Sequence, residues 1–319
     1  MRLCRFGSGD APRVGFFDER RIVPIREAAE AFARTTGLHL GNAESTDLLD
    51  FLPPHADTIR GLEELRRWLD ADGLAKNPAL ALDPGAVQLL VPIPRPNKIF
   101  LLAGNYADHV RESGETARER AETFPYVFMK PPSTTLSHPG RAIKLPAAAP
   151  DAVDWELELA VVIGRKAKHV SEAEALDHVA GYTVVNDISQ RRYRPNPDRK
   201  KRDRDAFFDW LHGKWFDSFC PCGPCIVSAA AIPDPQALRM KLELNGQVKQ
   251  DASTAQQIFP VAAVIEFISK MVTLEPGDII STGTPAGVGS TTGTFLKPGD
   301  VMHAWIEGIG TLITPVEAE

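Results

Sequence analysis

The sequence predicts an α+β protein with a mixed, rolled β-sheet. Beyond residue 92 the chain alternates short β-like segments with turns, and helical periodicity interrupts this pattern only briefly. Two Leu-x-Pro-Gly-Asp turns, at 274–278 and 296–300, each lead into a predicted strand. Proline followed by glycine suits the centre of a type II turn, because proline fixes a negative φ and glycine tolerates a positive one. These features favour packed sheets over a helical repeat protein.

The first 92 residues have the pattern of a smaller α+β domain. Strands are predicted at 1–6, 13–17 and 21–24, and helices at 25–34 and 58–70. The proline-rich segment 91–96 excludes a continuing helix, so we place a domain boundary there, between 1–92 and 93–319. In the second domain we predict helices at 171–178 and 261–271 and strands at 98–103, 155–164, 181–188, 238–245, 278–282 and 301–306.

Bulk properties favour a cytoplasmic protein with a small-molecule site. The 319 residues carry a formal net charge of -6, which gives no electrostatic reason to expect nucleic acid or an anionic membrane as a partner. No apolar stretch approaches the roughly 18 residues that cross a bilayer, and the N-terminus lacks the apolar core of a signal peptide. The four cysteines do not form a disulfide framework of the secreted kind, and Cys222 and Cys225 lack the further ligands of a zinc site.

Three acidic residues form the most informative pattern. Glu156 and Glu158 are two apart on a predicted strand and therefore share a face. The strand continues as an apolar run at 160–163, which indicates that protein covers both faces, although a half-exposed strand with solvated glutamates is the alternative. Asp187 ends the next predicted strand. Buried carboxylates are costly without a compensating cation, and an all-oxygen donor set suits magnesium, then manganese or calcium, better than zinc.

The order of the motifs resembles the fumarylacetoacetate hydrolase superfamily. The resemblance rests on the Glu-x-Glu strand, the Asn-Asp pair at 186–187 and the segments 213–224 and 274–289, and it spans about residues 94–316. It implies a mixed β-roll of the fumarylacetoacetate hydrolase C-terminal type, preceded by a variable N-terminal domain. It also implies a homodimer and Mg2+ or Mn2+ held by Glu156, Glu158 and Asp187.

The resemblance also implies catalytic residues. His109 and Glu112 are three apart, so that on a helical turn the carboxylate can orient the imidazole, and similarly placed residues in the family activate water. We predict that His109 is a general base held by Glu112. Lys214 matches the family's active-site lysine, which would stabilise an enolate or a substrate carboxylate.

Three further residues are predicted to contact substrate. Arg191 matches an arginine that can fork onto a carboxylate, and Thr284 and Lys130 are further candidates. Many members have glutamine three residues after this arginine, whereas this chain has Arg194. The extra positive charge would favour a dicarboxylate.

The predicted activity is divalent-metal-dependent hydrolysis of a C–C bond in a small 2,4-dioxo acid of the acylpyruvate type, through a metal-stabilised enolate. A decarboxylase or isomerase is the alternative, acting in aromatic catabolism on oxaloacetate-like or 2-hydroxyhepta-2,4-diene-1,7-dioate-like acids. Two further possibilities are a catalytically silent metal-binding module and a purely structural dimer.

Overall fold

The computed structural model describes residues 1–8 and 10–319. The first part of the chain forms four strands and three helices. They are β1 Arg2–Ser8, β2 Ala11–Phe17, β3 Ile22–Pro24, α1 Ile25–Thr36, α2 Ala56–Trp68, α3 Leu74–Lys76 and β4 Leu89–Leu90.

The remainder is richer in strands. Its elements are β5 Ile99–Ala103, α4 Ala107–Glu112, β6 Tyr126–Met129, α5 Pro132–Thr135, β7 Leu136–Ser137, β8 Ile143–Leu145, β9 Val153–Asp154, β10 Leu157–Ile163, β11 Val179–Asn186, β12 Ser189–Gln190, α6 Asp205–His212, β13 Cys220–Ser228, β14 Arg239–Leu244, β15 Gln247–Ser253, α7 Val261–Met271, β16 Ile279–Ser281, α8 Gly289–Thr292, β17 Val301–Ile306 and β18 Gly310–Ala318. The predicted α+β class is confirmed.

Two large sheets and one small ladder organise these strands. The main sheet has eleven strands, nine of them in the order β3-β2-β1-β13-β11-β10-β16-β5-β6, with β4 paired to β1 and β7 to β13. A second sheet has the order β15-β14-β17-β18-β8, and β9 pairs with β12 alone. Most pairs are antiparallel, but β16 with β5 is parallel, so the main sheet is mixed as predicted.

The centre of the main sheet is covered on both faces. Every residue of β10 and β11 is buried, which explains why both strands are almost continuously apolar. The strand predicted to begin at Trp155 begins at Leu157 instead. Glu156 lies just before it, and its backbone N–H donates to the side-chain oxygen of Asn186 on β11 instead of to a backbone carbonyl.

The helix predicted at 171–178 is wrong except for a single 3-10 turn at Ala175–His178. Within this segment the N–H groups of Glu174 and Asp177 bond to the carbonyls of Ser171 and Glu174, both at 3.1 Å. These bonds span three residues instead of four, so the segment forms tight turns and not an α-helix. The helix predicted at 261–271 is confirmed by α7.

The predicted boundary near residue 92 is crossed by the main sheet. Strand β1 pairs with β13, with Leu3 opposite Ile226, so residues of the first 92 extend the same sheet as the second part of the chain. The division into 1–92 and 93–319 therefore remains a prediction. Among the described residues, no helix combines the length and the hydropathy required to cross a membrane.

We predict that Gly181→Ala destabilises the fold strongly. A Cβ at Gly181 would lie 2.2 Å from the carbonyl oxygen of Val227 on the neighbouring strand, and a backbone atom cannot move aside cheaply. We expect the free energy of unfolding in urea to fall by at least about 2 kcal/mol. Gly41→Ala is the matched control, because nothing lies within 4 Å of its added Cβ. Equal stability of the two variants would contradict this account of the sheet.

Candidate metal centre and active site

The three predicted metal ligands meet at the end of two neighbouring strands. Strands β10 and β11 are antiparallel, with Leu157 opposite Asn186, so Glu156 and Asp187 leave the sheet side by side. One carboxylate oxygen from each of Glu156, Glu158 and Asp187 lies within 4.8 Å of the others, and all three residues are buried. The geometry therefore brings together the residues that the sequence placed in one site.

A buried lysine lies between two of these carboxylates. The ammonium of Lys214 donates to Glu156 at 2.8 Å, to Asp187 at 2.6 Å and to the hydroxyl of Ser189 at 2.9 Å. Burial alone would lower the pKa of Lys214, but the charges of Asp187 and Glu156 raise it above its usual value. Lys214 is therefore a fixed cation in contact with the predicted ligands.

Glu156 has a second cationic partner. The guanidinium of Arg191 donates to Glu156 Oε1 at 2.6 Å through Nη2. Burial would raise the pKa of Glu156, but Arg191 and Lys214 outweigh it and hold the pKa below its usual value. Glu156 is therefore ionised inside the protein.

Glu158 has no such compensation. Its Oε2 accepts from the hydroxyl of Ser281 at 2.6 Å and from the N–H of Gly283 at 2.9 Å. Its Oε1 is buried without a hydrogen-bond partner among the described residues. Burial, followed by the nearby charges of Asp187 and Glu156, raises its pKa well above the usual value.

These observations fit a divalent cation. A buried, unpartnered carboxylate oxygen that faces two further carboxylates is costly in the protein alone and becomes a ligand when a cation is present. The donors are all oxygens, the set that Mg2+ and Mn2+ prefer.

Lys130 is enclosed behind Asp187 and does not face open space. Its side chain is fully buried, and its ammonium contacts a carboxylate oxygen of Asp187 and donates to the carbonyl oxygens of Ile188 and Phe219. Since an ammonium has three N–H groups, no donor remains for a substrate. The structure therefore favours a role in holding Asp187 over the predicted substrate contact.

The predicted acid-base pair is formed on the short helix α4. His109 Nδ1 lies 2.8 Å from Glu112 Oε1. Glu112 Oε2 also accepts from the N–H of Gly287 at 2.9 Å. Burial would raise the pKa of Glu112, but the hydrogen bonds from His109 and Gly287 lower it. A protonated His109 would lower the pKa of Glu156, so the pair lies near the predicted metal ligands.

Thr284 is buried beside the start of β10, the strand that carries Glu158. Its hydroxyl donates to the carbonyl of Leu157 at 3.0 Å and accepts from the side chain of Gln250 at 2.8 Å. Gln250 in turn accepts from the N–H of Leu157 at 3.0 Å. These bonds fix the strand that carries Glu158, and the predicted contact of Thr284 with substrate stays a prediction.

Four residues of the site were not predicted from the sequence. Asp154 continues the two-residue alternation of Glu156 and Glu158, so that alternation could have indicated it. The others are single polar residues with no distinctive spacing, and only the folded chain brings them to the cluster. They are Ser189, Gln250 and Ser281.

Comparisons with known proteins identify the family of the chain. The family model described as fumarylacetoacetate (FAA) hydrolase C-terminal matches residues 98–317. The chain belongs to the fumarylacetoacetate hydrolase family. The matched range contains the three carboxylates and the pair of His109 and Glu112.

Several relatives in this family are named enzymes. The mitochondrial oxaloacetate tautomerase FAHD2A of Bos taurus is 38% identical over 285 residues, which cover 88% of this chain and 86% of that protein. A fumarylacetoacetate hydrolase of Exiguobacterium antarcticum is 28% identical, with a TM-score of 0.73 and 100% of both chains covered. A maleylpyruvate hydrolase of Sphingobium sp. SYK-6, solved with manganese (II) and pyruvate, is 29% identical with a TM-score of 0.69, over 100% of this chain and 99% of that one. This fumarylacetoacetate hydrolase family member is accordingly an enzyme.

We predict that Glu158→Gln abolishes stabilisation by Mn2+ without destabilising the metal-free protein. The substitution keeps the shape of the side chain but removes a charge that has no cationic partner, so metal-free unfolding should occur at the same or a higher temperature. In the wild type, Mn2+ at about 100 times its Kd should add about 2.7 kcal/mol.

Thermal unfolding with and without Mn2+ measures both effects. Glu64→Gln, an exposed residue on α2, is the control and should respond to Mn2+ as the wild type does. A Glu158→Gln protein that is still stabilised by Mn2+ would contradict the assignment of the ligands.

Proposed function

We propose that this protein is a divalent-metal-dependent enzyme that moves a proton at the carbon next to the 2-oxo group of a small 2-oxo acid, with oxaloacetate as the first candidate substrate. The observation that carries the proposal is the buried Oε1 of Glu158, which is unpartnered among the described residues and clusters with the carboxylates of Glu156 and Asp187. The relative matched over 88% of this chain is named an oxaloacetate tautomerase, which supports the choice of substrate.

Glu156, Glu158 and Asp187 would hold the cation, with Mg2+ preferred and Mn2+ as the alternative. When bound, a divalent cation would withdraw electron density from the 2-oxo group and make the neighbouring C–H bond more acidic. The protein's own contribution is to hold these carboxylates in place through Lys214, Lys130 and the backbone N–H of Gly283.

His109 is the group that would transfer the proton. When Nδ1–H donates to Glu112, the lone pair of Nε2 is free to accept a proton from carbon and to return it to the product. Glu112 is held in turn by Gly287 N–H, so the imidazole has a fixed orientation. Tautomerisation needs no other group, because the same proton can be returned to a different atom.

Arg191 would bind a carboxylate of the substrate. Its Nε and Nη2 are bonded to protein carboxylates, but among the described residues Nη1 has no hydrogen-bond acceptor. The predicted role of Lys214 towards an enolate requires that one of its three present partners release a donor. Lys214 otherwise acts by bridging Glu156 and Asp187 and offsetting the repulsion between them.

Hydrolysis of a 2,4-dioxo acid of the acylpyruvate type is the second candidate. The pair of His109 and Glu112 favours it, because the same Nε2 could take a proton from water instead of from carbon. The maleylpyruvate hydrolase that matches the whole chain supports this candidate. The decarboxylase and isomerase alternatives would rely on the same polarisation of the 2-oxo group by a bound cation and differ in the bond that breaks, C–C with loss of CO2 or C–H with return of the proton elsewhere. We also propose a cytoplasmic homodimer.

We predict that turnover depends on a divalent metal. Oxaloacetate, acetylpyruvate, fumarylpyruvate and an unsaturated heptadioate should be tested with Mg2+, with Mn2+ and with EDTA. Enol–keto conversion of oxaloacetate should be accelerated with either metal and return to the uncatalysed rate with EDTA. Loss of a dioxo acid without conversion of oxaloacetate would select the hydrolase instead, and unchanged rates in EDTA would contradict the metal-dependent mechanism.

We predict that His109→Ala lowers kcat by about 10²- to 10⁴-fold, because a positioned acid-base group contributes about that factor. Glu112→Gln should lower kcat less, since the imidazole remains but loses its charged partner. Mn2+ affinity should change little in either variant. His303→Ala, an exposed position on β17, is the control. Full activity of His109→Ala would remove His109 from the mechanism.

A further inference from the structure

Asp154 is a buried carboxylate that neither the metal centre nor the acid-base pair uses directly. It lies in β9, two residues before Glu156, and its side chain is fully buried. Oδ1 accepts from Arg191 Nε at 2.6 Å, and Oδ2 accepts from the backbone N–H of Ser290 at 2.8 Å. Each oxygen therefore has a donor.

Asp154 and Glu156 hold the guanidinium of Arg191 between them. Nε is bonded to Asp154 and Nη2 to Glu156, both at 2.6 Å, so two points fix the plane of the group. Because a guanidinium is planar and rigid, this arrangement also fixes the direction of Nη1, which has no acceptor among the described residues. Arg191 is only 15% exposed, so few other orientations are open to it.

The surroundings of Asp154 hold it rigidly. Its backbone pairs with Ser189 in the small ladder of β9 and β12. The chain at Gly289 approaches so closely that an added Cβ would lie 2.8 Å from the Cβ of Asp154. Together with the hydrogen bond from Ser290, these contacts fix the position of the Asp154 carboxylate.

We propose that Asp154 is a positioning residue that aligns Arg191 to receive a carboxylate of the ligand with two parallel hydrogen bonds, one from Nη1 and one from the second N–H of Nη2. The inference rests on the proposed function in one respect, that the ligand carries a carboxylate next to the metal-binding oxygens. It adds that affinity for this carboxylate depends on the alignment of the guanidinium and not only on its charge.

A role of Asp154 through its charge and a role through the alignment of Arg191 predict opposite effects of Asp154→Asn on anion binding. If Asp154 acted only through its charge, its neutralisation would remove a repulsion and tighten the binding of an anion. Alignment predicts weaker binding, because asparagine offers one acceptor oxygen where Arg191 Nε and Ser290 N need two. One of these donors would then face an NH2 group, and the guanidinium would turn.

The test uses oxalate, whose adjacent oxygens resemble the carboxylate and 2-oxygen of a 2-oxo acid. Its affinity for the protein saturated with Mn2+ can be measured by calorimetry. We expect Asp154→Asn to weaken oxalate binding about tenfold or more, the scale of leaving one buried donor unpaired. In an Arg191→Met background the same change should have no further effect, because Asp154 acts through Arg191. Asp151→Asn, an exposed neighbour, should bind as the wild type does.

A purely structural role for Asp154 would lower thermal stability but would not make its effect on oxalate disappear in Arg191→Met. Unchanged or tighter binding in Asp154→Asn, or independent losses in the double variant, would overturn the proposal. If Asp154→Asn does not fold, Arg191→Lys decides, since lysine keeps the charge without the planar fork. Affinity as poor as in Arg191→Met supports alignment, and wild-type affinity overturns it.

This test also separates the inference from the proposed function. If the wild type converts no 2-oxo acid but binds oxalate with the dependence described, the alignment of Arg191 stands and the proposed reaction fails. If the wild type converts oxaloacetate and Asp154→Asn binds oxalate normally, the reaction stands and the alignment fails.

Discussion

A surplus of one negative charge inside the protein is the constraint on which the site depends. The buried cluster contains four carboxylates and three cations, namely Asp154, Glu156, Glu158 and Asp187 with Lys130, Arg191 and Lys214. The cations contact three of the acids and leave Glu158 with only neutral donors. The surplus therefore falls on Glu158, whose Oε1 contacts neither a cation nor a hydrogen-bond donor among the described residues. Buried charge of this kind is stable only where a cation joins it or a proton neutralises it.

The fold supplies the donors that make this cluster possible. Strand β10 carries Glu158, its neighbour β11 leads to Asp187, and on the other side β16 supplies the hydroxyl of Ser281. The acid-base pair comes from a different element, α4, and is joined to the cluster by the loop that contains Gly287. The charged groups therefore lie at the ends of packed central strands. Because these strands are covered on both faces, they are mostly apolar up to the residues that carry the chemistry.

The sequence predicted best those parts of the site whose residues lie close together in the chain. The alternation at Glu156 and Glu158 placed both carboxylates together, and the spacing of His109 and Glu112 predicted their contact. The helix predicted at 171–178 is wrong because the backbone bonds within this segment span three residues and not four, which the apolar pattern does not distinguish. The burial of the Lys130 ammonium could not be predicted from the sequence either, since its partners Ile188 and Phe219 are 58 and 89 residues away along the chain. Sequence patterns thus indicate which charged residues belong to the site, whereas the fold determines which of them form ion pairs.

Anomalous scattering from crystals of the protein soaked in Mn2+ tests the central claim most directly. The charge surplus predicts one strong peak within bonding distance of Glu156, Glu158 and Asp187, with the Oε1 of Glu158 among the ligands. The absence of a peak there at saturating Mn2+, or a peak that excludes Glu158, would show that the buried carboxylate is neutralised by a proton rather than by a metal.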